Sequence, residues 1–311
     1  MLFIDRVDGR RIRDPGPFHA ILPFLMRGRN ESAVYYSKDF EVDTAVRYVH
    51  QRNSESGEHR FSLFGLILTA AAQTFILKPR LNRFVHGRSL YERNSLKFSF
   101  IVKKRLTEDA KETTAQVTFP QNVTVDSAAD IIHRAVSLAR GQDMTPDERE
   151  ASIIHRIPFG KFIVSRLFRF LDRFNVAPNF MLESDPLYSS AFFANLGSIG
   201  LDTPFHHLYE WGTASLFVVV GRLFQKESRG SDGVYRKKNY VNVKMTLDER
   251  IADGLYFARA AALFQRLVQH PEWMEKPPGR GNLEPAGKPS GTEAVYISSG
   301  SRDSMYPREA P

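Results

Sequence analysis

Apolar and polar residues alternate along residues 240–247, and the period of the pattern changes soon afterwards. Every second position is apolar, as in a half-buried β-strand; these positions are Val241, Val243, Met245 and Leu247. From residue 256 to residue 268 the apolar positions recur at helical spacing, and Pro271 ends the pattern. The stretch therefore predicts a strand, a turn with the sequence Asp-Glu-Arg-Ile-Ala-Asp-Gly at residues 248–254, and an amphipathic helix.

The same two periods predict elements in the rest of the chain. Strands are expected at residues 33–40, 83–85, 89–92, 96–102, 115–119, 188–196 and 214–223. Helices are expected at residues 42–51, 61–78, 124–140, 144–156 and 159–174. The nearly continuous apolar run at 214–223 predicts a central strand that is buried on both faces, with the strand at 240–247 antiparallel beside it.

Composition divides the chain into three parts. Residues 1–30 contain several proline and glycine residues among apolar ones, which predicts an extended arm that lies over the body. Residues 31–275 carry the periodic patterns and are expected to form one domain. Beyond residue 275 the chain consists mainly of Pro, Gly, Ser and charged residues, so residues 276–311 are expected to be a disordered tail.

The overall composition excludes some classes of site. The chain has 311 residues and no cysteine, which excludes disulfides, thiolate metal sites and a cysteine nucleophile. Its net charge of +8 is spread over scattered basic pairs, typical of a solvated basic surface or of a pocket for cofactor phosphates. No helix-turn-helix or basic helix stands out, so no nucleic-acid partner is expected.

The location of the protein is predicted from its first residues and from its most apolar stretch. The first residues lack a basic segment followed by a long apolar one, so they do not predict a signal peptide, and a cytoplasmic protein is expected. The most apolar stretch, residues 61–77, is interrupted by Ser62, Thr69 and Gln73, which fall on one side of a helix. It predicts a mostly buried helix of a soluble protein and no membrane span.

The turn at residues 248–254 resembles the His-Arg-x-x-Asp-Gly signature of the coenzyme A-dependent acyltransferases. This superfamily includes chloramphenicol acetyltransferase and the catalytic domain of the dihydrolipoyl acyltransferases of 2-oxo acid dehydrogenase complexes. Arg250, Asp253 and Gly254 match the signature, and Glu249 stands where the family has its histidine. Arg250 and Gly254 are therefore expected to keep the structure of the turn.

Other segments resemble the same superfamily in the same order. They are residues 77–83, similar to a helix end with a Pro-x-Leu-Asn turn, residues 194–200, similar to Ser-Asn-Leu-Gly-x-x-Gly, and residues 215–222, similar to the strand that follows. The resemblance covers about residues 30–272. It implies an α/β, two-layer chloramphenicol acetyltransferase-like fold with a mixed β-sheet covered by helices. It also implies a homotrimer with sites at the subunit interfaces and a coenzyme A thioester as acyl donor.

In this superfamily a base takes a proton from a thiol or hydroxyl, which attacks the thioester carbonyl, and hydrogen-bond donors stabilise the oxyanion. Glu249 occupies the position of the base, although a glutamate in a peptide has a pKa about four units below that of a thiol, and a histidine only about two. Ala194 aligns with the serine of the oxyanion segment, where losing one donor costs about a hundredfold in rate. Asn195, Gly197 and Ser198 complete this substrate or oxyanion region.

Asp253 has two compatible roles. The resemblance implies an ion pair with an early arginine, such as Arg27 or Arg29, that shapes the loop of the base. An aspartate at this position is also a preferred cap for the helix that follows.

The loop at residues 202–213 contains the adjacent residues His206 and His207. Adjacent side chains point in different directions in regular structure, and no His-x-x-x-His spacing is present, so no metal is expected. One of the two histidines could replace the missing base, or both could hold the loop through hydrogen bonds.

Two functions therefore stay open at this point. The chain could transfer an acyl group from a coenzyme A thioester to a small-molecule acceptor, with Glu249, His206 or His207 as an atypical base. Alternatively, it could be a catalytically inactive homologue that acts as a trimeric ligand-binding or scaffold protein. Release of free thiol from acyl-coenzyme A would distinguish them.

Overall fold

The computed structural model describes residues 5–103, 112–141, 160–229 and 232–279, which contain nine strands and seven α-helices. The strands are β1 (Gly9–Arg11), β2 (Ala33–Glu41), β3 (Arg83–His86), β4 (Ser89–Arg93), β5 (Leu96–Lys103), β6 (Glu112–Phe119), β7 (Ala191–Asn195), β8 (Leu216–Arg229) and β9 (Tyr235–Asp248). The helices are α1 (Pro17–Leu25), α2 (Asp43–Ser56), α3 (Leu63–Leu77), α4 (Val125–Gly141), α5 (Gly160–Arg173), α6 (Asn179–Ser184) and α7 (Gly254–Gln269).

Six strands form one mixed sheet in the order β2-β9-β8-β7-β5-β6. Strand β7 pairs in parallel with β5 on one side and β8 on the other, and the remaining neighbours pair antiparallel. Strands β1, β4 and β3 form a second, antiparallel sheet. The predicted α/β class with a mixed sheet is confirmed, and so is the antiparallel pairing of β8 with β9.

The two faces of the large sheet bury different clusters. On the inner face, alternate residues of β8 and β9 pack against helices that include α3 and α7; the sheet residues include Val218, Val220, Val243 and Met245. Because side chains alternate along a strand, Phe217 and Val219 point the other way. On this outer face they cluster with Phe192, Ala194 and Leu208. The centre of β8 is therefore buried on both faces, as its apolar sequence predicts.

Helix α3 is buried almost all round, from residue 66 to residue 75. Ser62 caps it by accepting a hydrogen bond from the Gly65 amide at 3.0 Å. Gln73 is buried, and its Nε2 donates to the Val123 carbonyl at 3.0 Å, so this polar side chain is satisfied. The prediction of a mostly buried helix is confirmed. No helix in the described part of the chain combines the length and the apolar character that crossing a membrane requires.

The N-terminal residues differ from the extended arm that their composition predicts. Residues 9–11 form β1, which pairs with β4, and residues 17–25 form helix α1. Pro17 occupies the start of α1, where its fixed φ suits a helix and its missing N–H is not needed. The apolar residues of this segment therefore form a helix despite the nearby prolines.

Strands β8 and β9 are longer than predicted, at 14 residues each. They remain paired out to Arg229 and Tyr235, well beyond Val220, where pairing with β7 ends. Most of this extension is exposed, so it lacks the apolar alternation by which a strand is detected in sequence. The predicted helix at residues 144–156 and the predicted tail from residue 280 onwards lie outside the described residues.

Candidate active site

The turn after β9 is built on a fully buried ion pair. The Arg250 guanidinium donates to both carboxylate oxygens of Asp248, from Nε to Oδ1 at 2.8 Å and from Nη2 to Oδ2 at 2.6 Å. Ser32 Oγ also donates to Asp248 Oδ1 at 2.9 Å, and Arg250 Nη1 donates to the Met26 carbonyl at 2.9 Å. Bidentate geometry and these extra hydrogen bonds are what a buried ion pair needs in order to be tolerated.

Glu249 lies between these two buried residues and is exposed. Its amide donates to the Ser32 carbonyl at 3.0 Å, which fixes the backbone at this position. Within the described residues its carboxylate makes no hydrogen bond or ion pair. The fixed backbone of the turn therefore holds the Glu249 side chain at the surface.

Asp253 caps helix α7 and forms a partly exposed ion pair. Its Oδ1 accepts from the Tyr256 amide at 2.8 Å, and its Oδ2 lies 3.5 Å from Arg80 Nη1. The Tyr256 amide is the main reason that the pKa of Asp253 is lowered, and the charge of Arg80 adds to the effect. The capping role is thus observed directly.

The prediction that Arg27 or Arg29 forms an ion pair with Asp253 is wrong. Arg80 takes this role because the end of α3 packs beside α7, where the Arg80 amide donates to the Tyr256 hydroxyl at 3.0 Å. Arg29 is instead buried, and its Nη1 donates to the Glu210 carbonyl at 3.3 Å. A Cβ on Gly254 would meet nothing within 4 Å, so packing does not require glycine there.

His19 of α1 lies near the same turn and was not identified from sequence. Burial lowers the pKa of His19, the charge of Arg80 lowers it further, and Asp253 acts in the opposite direction. Its Nε2 is buried without a hydrogen-bond partner in the described structure. No motif or spacing in the sequence connects residue 19 with residue 253, which explains why only the fold reveals this proximity.

The loop at residues 201–213 crosses the outer face of the sheet above β9. Lys244 Nζ donates to the Thr203 carbonyl at 2.6 Å and lies 4.3 Å from the centre of the Phe205 ring. Further along β9, the Thr246 hydroxyl donates to the His206 carbonyl. These bonds run toward the end of β9, so the loop brings the His206 backbone against Thr246, which precedes Glu249 by three residues on that strand, or about 10 Å along it.

The rings of His206 and His207 lie parallel, which corrects the prediction that they point in different directions. The ring of His206 stacks on Phe217 with centroids 3.8 Å apart, and the ring of His207 stacks on His206 at 4.8 Å. The prediction assumed regular structure, whereas this loop has neither strand nor helix geometry.

Each histidine ring is held in one tautomer by a backbone carbonyl. His206 Nδ1 lies 2.7 Å from the His207 carbonyl, and His207 Nδ1 lies 2.9 Å from the Leu208 carbonyl. Because a carbonyl oxygen can only accept, each Nδ1 carries the hydrogen and each Nε2 keeps its lone pair. Both rings are therefore arranged so that Nε2 can take a proton.

The segment at residues 194–200 adjoins this loop. The Ala194 methyl is buried in the cluster with Leu208 and Phe217, so the residue brings no side-chain donor. The side-chain amide of Asn195 makes no hydrogen bond within the described residues. Ser198 Oγ donates to the backbone carbonyl of Asn195 at 2.8 Å. A Cβ on Gly197 would lie 2.4 Å from the Gly221 carbonyl oxygen, so this turn can lie against β8 only with glycine there.

Glu210 joins the loop to the segment that supports the turn. Its carboxylate accepts from the Arg29 amide at 3.2 Å and from the Asn30 amide at 3.0 Å. Burial acts to raise the pKa of Glu210, but the hydrogen bonds from Asn30 and Arg29 outweigh it and lower the pKa. The sequence offered no motif for Glu210, because its partners lie about 180 residues earlier in the chain.

The structure therefore brings together some of the predicted site residues and separates others. His206, His207 and Ala194 share the outer-face cluster, Glu249 lies at the end of β9, and Asp253 lies on the far side of the turn beside Arg80. In the described parts of the chain, no group of three or more His, Asp or Glu side chains is placed to hold a metal ion.

Comparisons with known proteins bear on the fold. No protein-family model matches the sequence, and no curated protein matches it. A probable dihydrolipoamide acetyltransferase from Listeria monocytogenes 4b F2365 is similar in structure with a TM-score of 0.54 and 14% identity, over 80% of this chain and 91% of that chain. The dihydrolipoamide acetyltransferase of Azotobacter vinelandii gives a TM-score of 0.50 and 13% identity, over 78% of this chain and 83% of that chain. The chain has the acyltransferase fold.

A chloramphenicol acetyltransferase also aligns, with a TM-score of 0.47 and 13% identity, over 84% of this chain and 98% of that chain. The structures from Listeria monocytogenes and Azotobacter vinelandii confirm the predicted resemblance and the two-layer α/β acyltransferase fold. At 13–14% identity the likeness shows the fold alone. The chemical roles of Glu249, His206, His207 and the 194–198 segment stay predictions.

Proposed function

We propose that this chain transfers an acyl group from a coenzyme A thioester to a thiol or hydroxyl acceptor, with His206 as the general base. The observation that carries the proposal is the orientation of the His206 ring, whose Nδ1 is bound to a carbonyl and whose Nε2 keeps its lone pair. Stacking between Phe217 and His207 holds the ring in this position.

His206 Nε2 takes the acceptor's proton as its oxygen or sulfur attacks the thioester carbonyl carbon and forms a tetrahedral oxyanion. The intermediate collapses to the acylated product, and the carbon–sulfur bond to coenzyme A breaks. The departing coenzyme A thiolate takes the proton from the His206 imidazolium, so the ring returns to its initial state.

Imidazole suits this step better than the carboxylate of the aligned motif. In peptides an imidazole is about two pKa units closer to a thiol than a glutamate carboxylate is. The exposed position of Glu249 instead suits contact with the acceptor or with a neighbouring subunit. Such a contact is expected in the homotrimer that the resemblance implies, because its sites lie between subunits. Light scattering measures the number of subunits.

The oxyanion would be stabilised from the segment beside the loop. The Ala194 methyl is buried in the outer-face cluster, and the next side chain, Asn195, is directed to the opposite face because side chains alternate along β7, so the donor would have to be a backbone amide of this turn.

The proposal is tested by following free thiol release from acetyl-, propionyl- and longer acyl-coenzyme A. His206→Ala should lower the rate by about a hundredfold or more, as expected for loss of a general base. His207→Ala serves as the matched neighbour, and Glu249→Gln as the control at the aligned position, with smaller losses expected for both.

Turnover unchanged in His206→Ala would overturn the assignment of the base. If the wild type releases no thiol and calorimetry detects no thioester binding at millimolar concentration, the inactive ligand-binding or scaffold homologue is the correct interpretation.

A further inference from the structure

Helix α5 exposes an apolar face that no described part of the chain covers. Its side chains Phe162, Ile163, Leu167 and Phe170 are between 55% and 61% exposed. The opposite side of the helix is anchored, because Phe168 is buried and stacks on Trp211 with centroids 5.2 Å apart. The exposed side chains are thus a fixed surface of the fold, and a contiguous apolar surface of this kind marks an interaction site.

The exposed face of α5 carries positive charge and no negative charge. Arg166, Arg169 and Arg173 are all exposed. The one carboxylate of the helix, Asp172, is buried, where it accepts from Arg6 Nη1 at 2.7 Å and from the Tyr188 hydroxyl at 2.8 Å. Its charge is therefore directed inward and compensated, and the outward face is basic and apolar.

The three arginines and three of the four exposed apolar side chains form adjoining stripes along the helix, while Phe162 lies among the arginines, with the Arg166 guanidinium 5.2 Å from its ring. At about 100° per residue, the three arginines fall within an arc of about 60°. Ile163, Leu167 and Phe170 occupy a neighbouring arc of about 60°. Such a basic amphipathic helix can lie in the interface of a bilayer, with its apolar stripe among the acyl chains and its arginines at the headgroups.

Helix α1 contacts the same β3–β4 hairpin as α5. It contains no charged residue, and its exposed apolar side chains are Phe18, Ile21, Phe24 and Leu25, at 50–68% exposure. The β3–β4 hairpin connects it to α5: the Arg88 guanidinium lies 5.0 Å from the Phe24 ring, and His86 Nε2 lies 3.0 Å from the Asp172 carbonyl. Both helices therefore flank one hairpin.

We propose that α5, together with α1, docks this protein on an anionic lipid surface. Charge complementarity decides the occupant: exposed arginines without exposed carboxylates on α5 match anionic headgroups, and each adds to the attraction. Contact with another copy of the chain, as in the homotrimer, is the alternative that the measurement of molecular mass described below tests. The inference is independent of acyl transfer, because it uses none of the residues assigned to that reaction.

The test is co-sedimentation of the full chain with vesicles of phosphatidylcholine alone and of phosphatidylcholine with 30% phosphatidylglycerol. We expect binding to the anionic vesicles that weakens as salt is raised. The double variant R166Q/R173Q should weaken binding about 25-fold, since each arginine near such a surface contributes about fivefold. L167Q/F170Q should weaken it by at least about tenfold through loss of apolar burial.

Two matched controls separate this surface from general charge and hydrophobicity. R222Q/R236Q makes the same change in net charge on the exposed β8–β9 hairpin, where the two side chains are each 55% exposed. L138Q changes a 62% exposed leucine on α4. Both should leave vesicle binding within about twofold of the wild type, as expected for sites that do not touch the membrane.

Three results would overturn the proposal. One is absence of binding to the anionic vesicles at low salt. Another is equal weakening by R222Q/R236Q and R166Q/R173Q, which would show attraction by overall charge. The third is a change of molecular mass in L167Q/F170Q, measured by light scattering, with unchanged vesicle binding, which would assign the face to contact between copies of the chain.

Discussion

The turn at residues 248–250 and the loop at residues 201–213 lie at the same end of the sheet, but their polar side chains are held differently. In the turn, the Asp248–Arg250 pair is fully buried and nearly every polar atom has a partner. In the loop, His206 and His207 are held by stacking and by single bonds to carbonyls, and each keeps a free Nε2. The buried polar groups of the turn are thus already paired with other protein groups. The groups available for proton transfer lie in the loop.

Within one site, the residues that support the fold therefore lie in the turn, and the residues that could react lie in the loop. The turn resembles a catalytic signature, yet its buried residues hold the end of β9 and its exposed residue, Glu249, has no side-chain partner within the described residues. The loop resembles no signature, yet it presents two imidazoles. Variants of each region should therefore affect different quantities, stability in the turn and activity in the loop.

The largest expected effect is the loss of stability in Arg250→Leu. Removing this guanidinium leaves Asp248 as a buried charge without its partner, which should lower the free energy of unfolding by about 3–5 kcal/mol. Urea unfolding followed by tryptophan fluorescence measures the change. Glu249→Gln, at the exposed position between the pair, should change it by no more than about 0.5 kcal/mol. Equal losses in the two variants would remove the contrast between buried and exposed positions of the turn.

Glu210→Ala tests the connection between the loop and the turn. It removes a carboxylate that accepts from Arg29 and Asn30, and should lower the free energy of unfolding by about 1.5 kcal/mol at pH 7, the low end for a hydrogen-bonded charge, because the side chain is exposed to solvent. Because the pKa of Glu210 is lowered in the folded state, its contribution is present above the unfolded value of 4.5 and is lost as pH falls through the folded pKa. The difference between wild type and variant in urea unfolding should therefore shrink below pH 4.5. A difference that grows on acidification would contradict this role, and Glu210→Gln should restore part of the stability.

Glu249→His asks whether the turn can regain the chemistry that the resemblance implies. A better-matched base at this position should raise thiol release from acyl-coenzyme A by about tenfold, or roughly 1.4 kcal/mol in activation free energy. The gain should persist in a protein that also carries His206→Ala if the two positions act independently. A rate that stays at the level of Glu249→Gln would show that the turn no longer faces the acceptor.

The smallest expected effect distinguishes the two contacts of Asp253. Asp253→Ala removes the cap of α7 and should lower the free energy of unfolding by about 1 kcal/mol. Arg80→Gln removes an ion pair between side chains that are 43% and 44% exposed and a contact of the Arg80 guanidinium with the Tyr256 ring at 5.1 Å, and should cost less than the cap, about 0.5 kcal/mol. Thermal unfolding of both variants measures the order, and a larger loss in Arg80→Gln would make the ion pair the main contact.

Several site features could be predicted from sequence, because they depend on residues close together in the chain. Asp253 as a helix cap is one, since its bond to the Tyr256 amide spans three residues. The strand that leads into residues 194–200 is another, because its apolar residues are neighbours in the sequence. The ion-pair partner of Asp253 could not be predicted, because Arg80 lies 173 residues away and only the packing of α3 beside α7 brings it there. The parallel rings of His206 and His207 likewise depend on Phe217, on the strand beneath them.

The sequence by itself determined the strands and helices around residues 240–268 and, through them, the acyltransferase fold, because a buried face imposes a fixed spacing on apolar residues. The tertiary structure alone decided which polar groups are occupied and which are free. Hydrogen bonds and ring contacts of single side chains have no period along the chain, so the pairing of Asp253 with Arg80 and the stacking of His206 on Phe217 became visible only after distant segments were packed together. Glu249 marks the division between the two: its place in the motif follows from sequence, and its exposure between two buried charges follows from the fold.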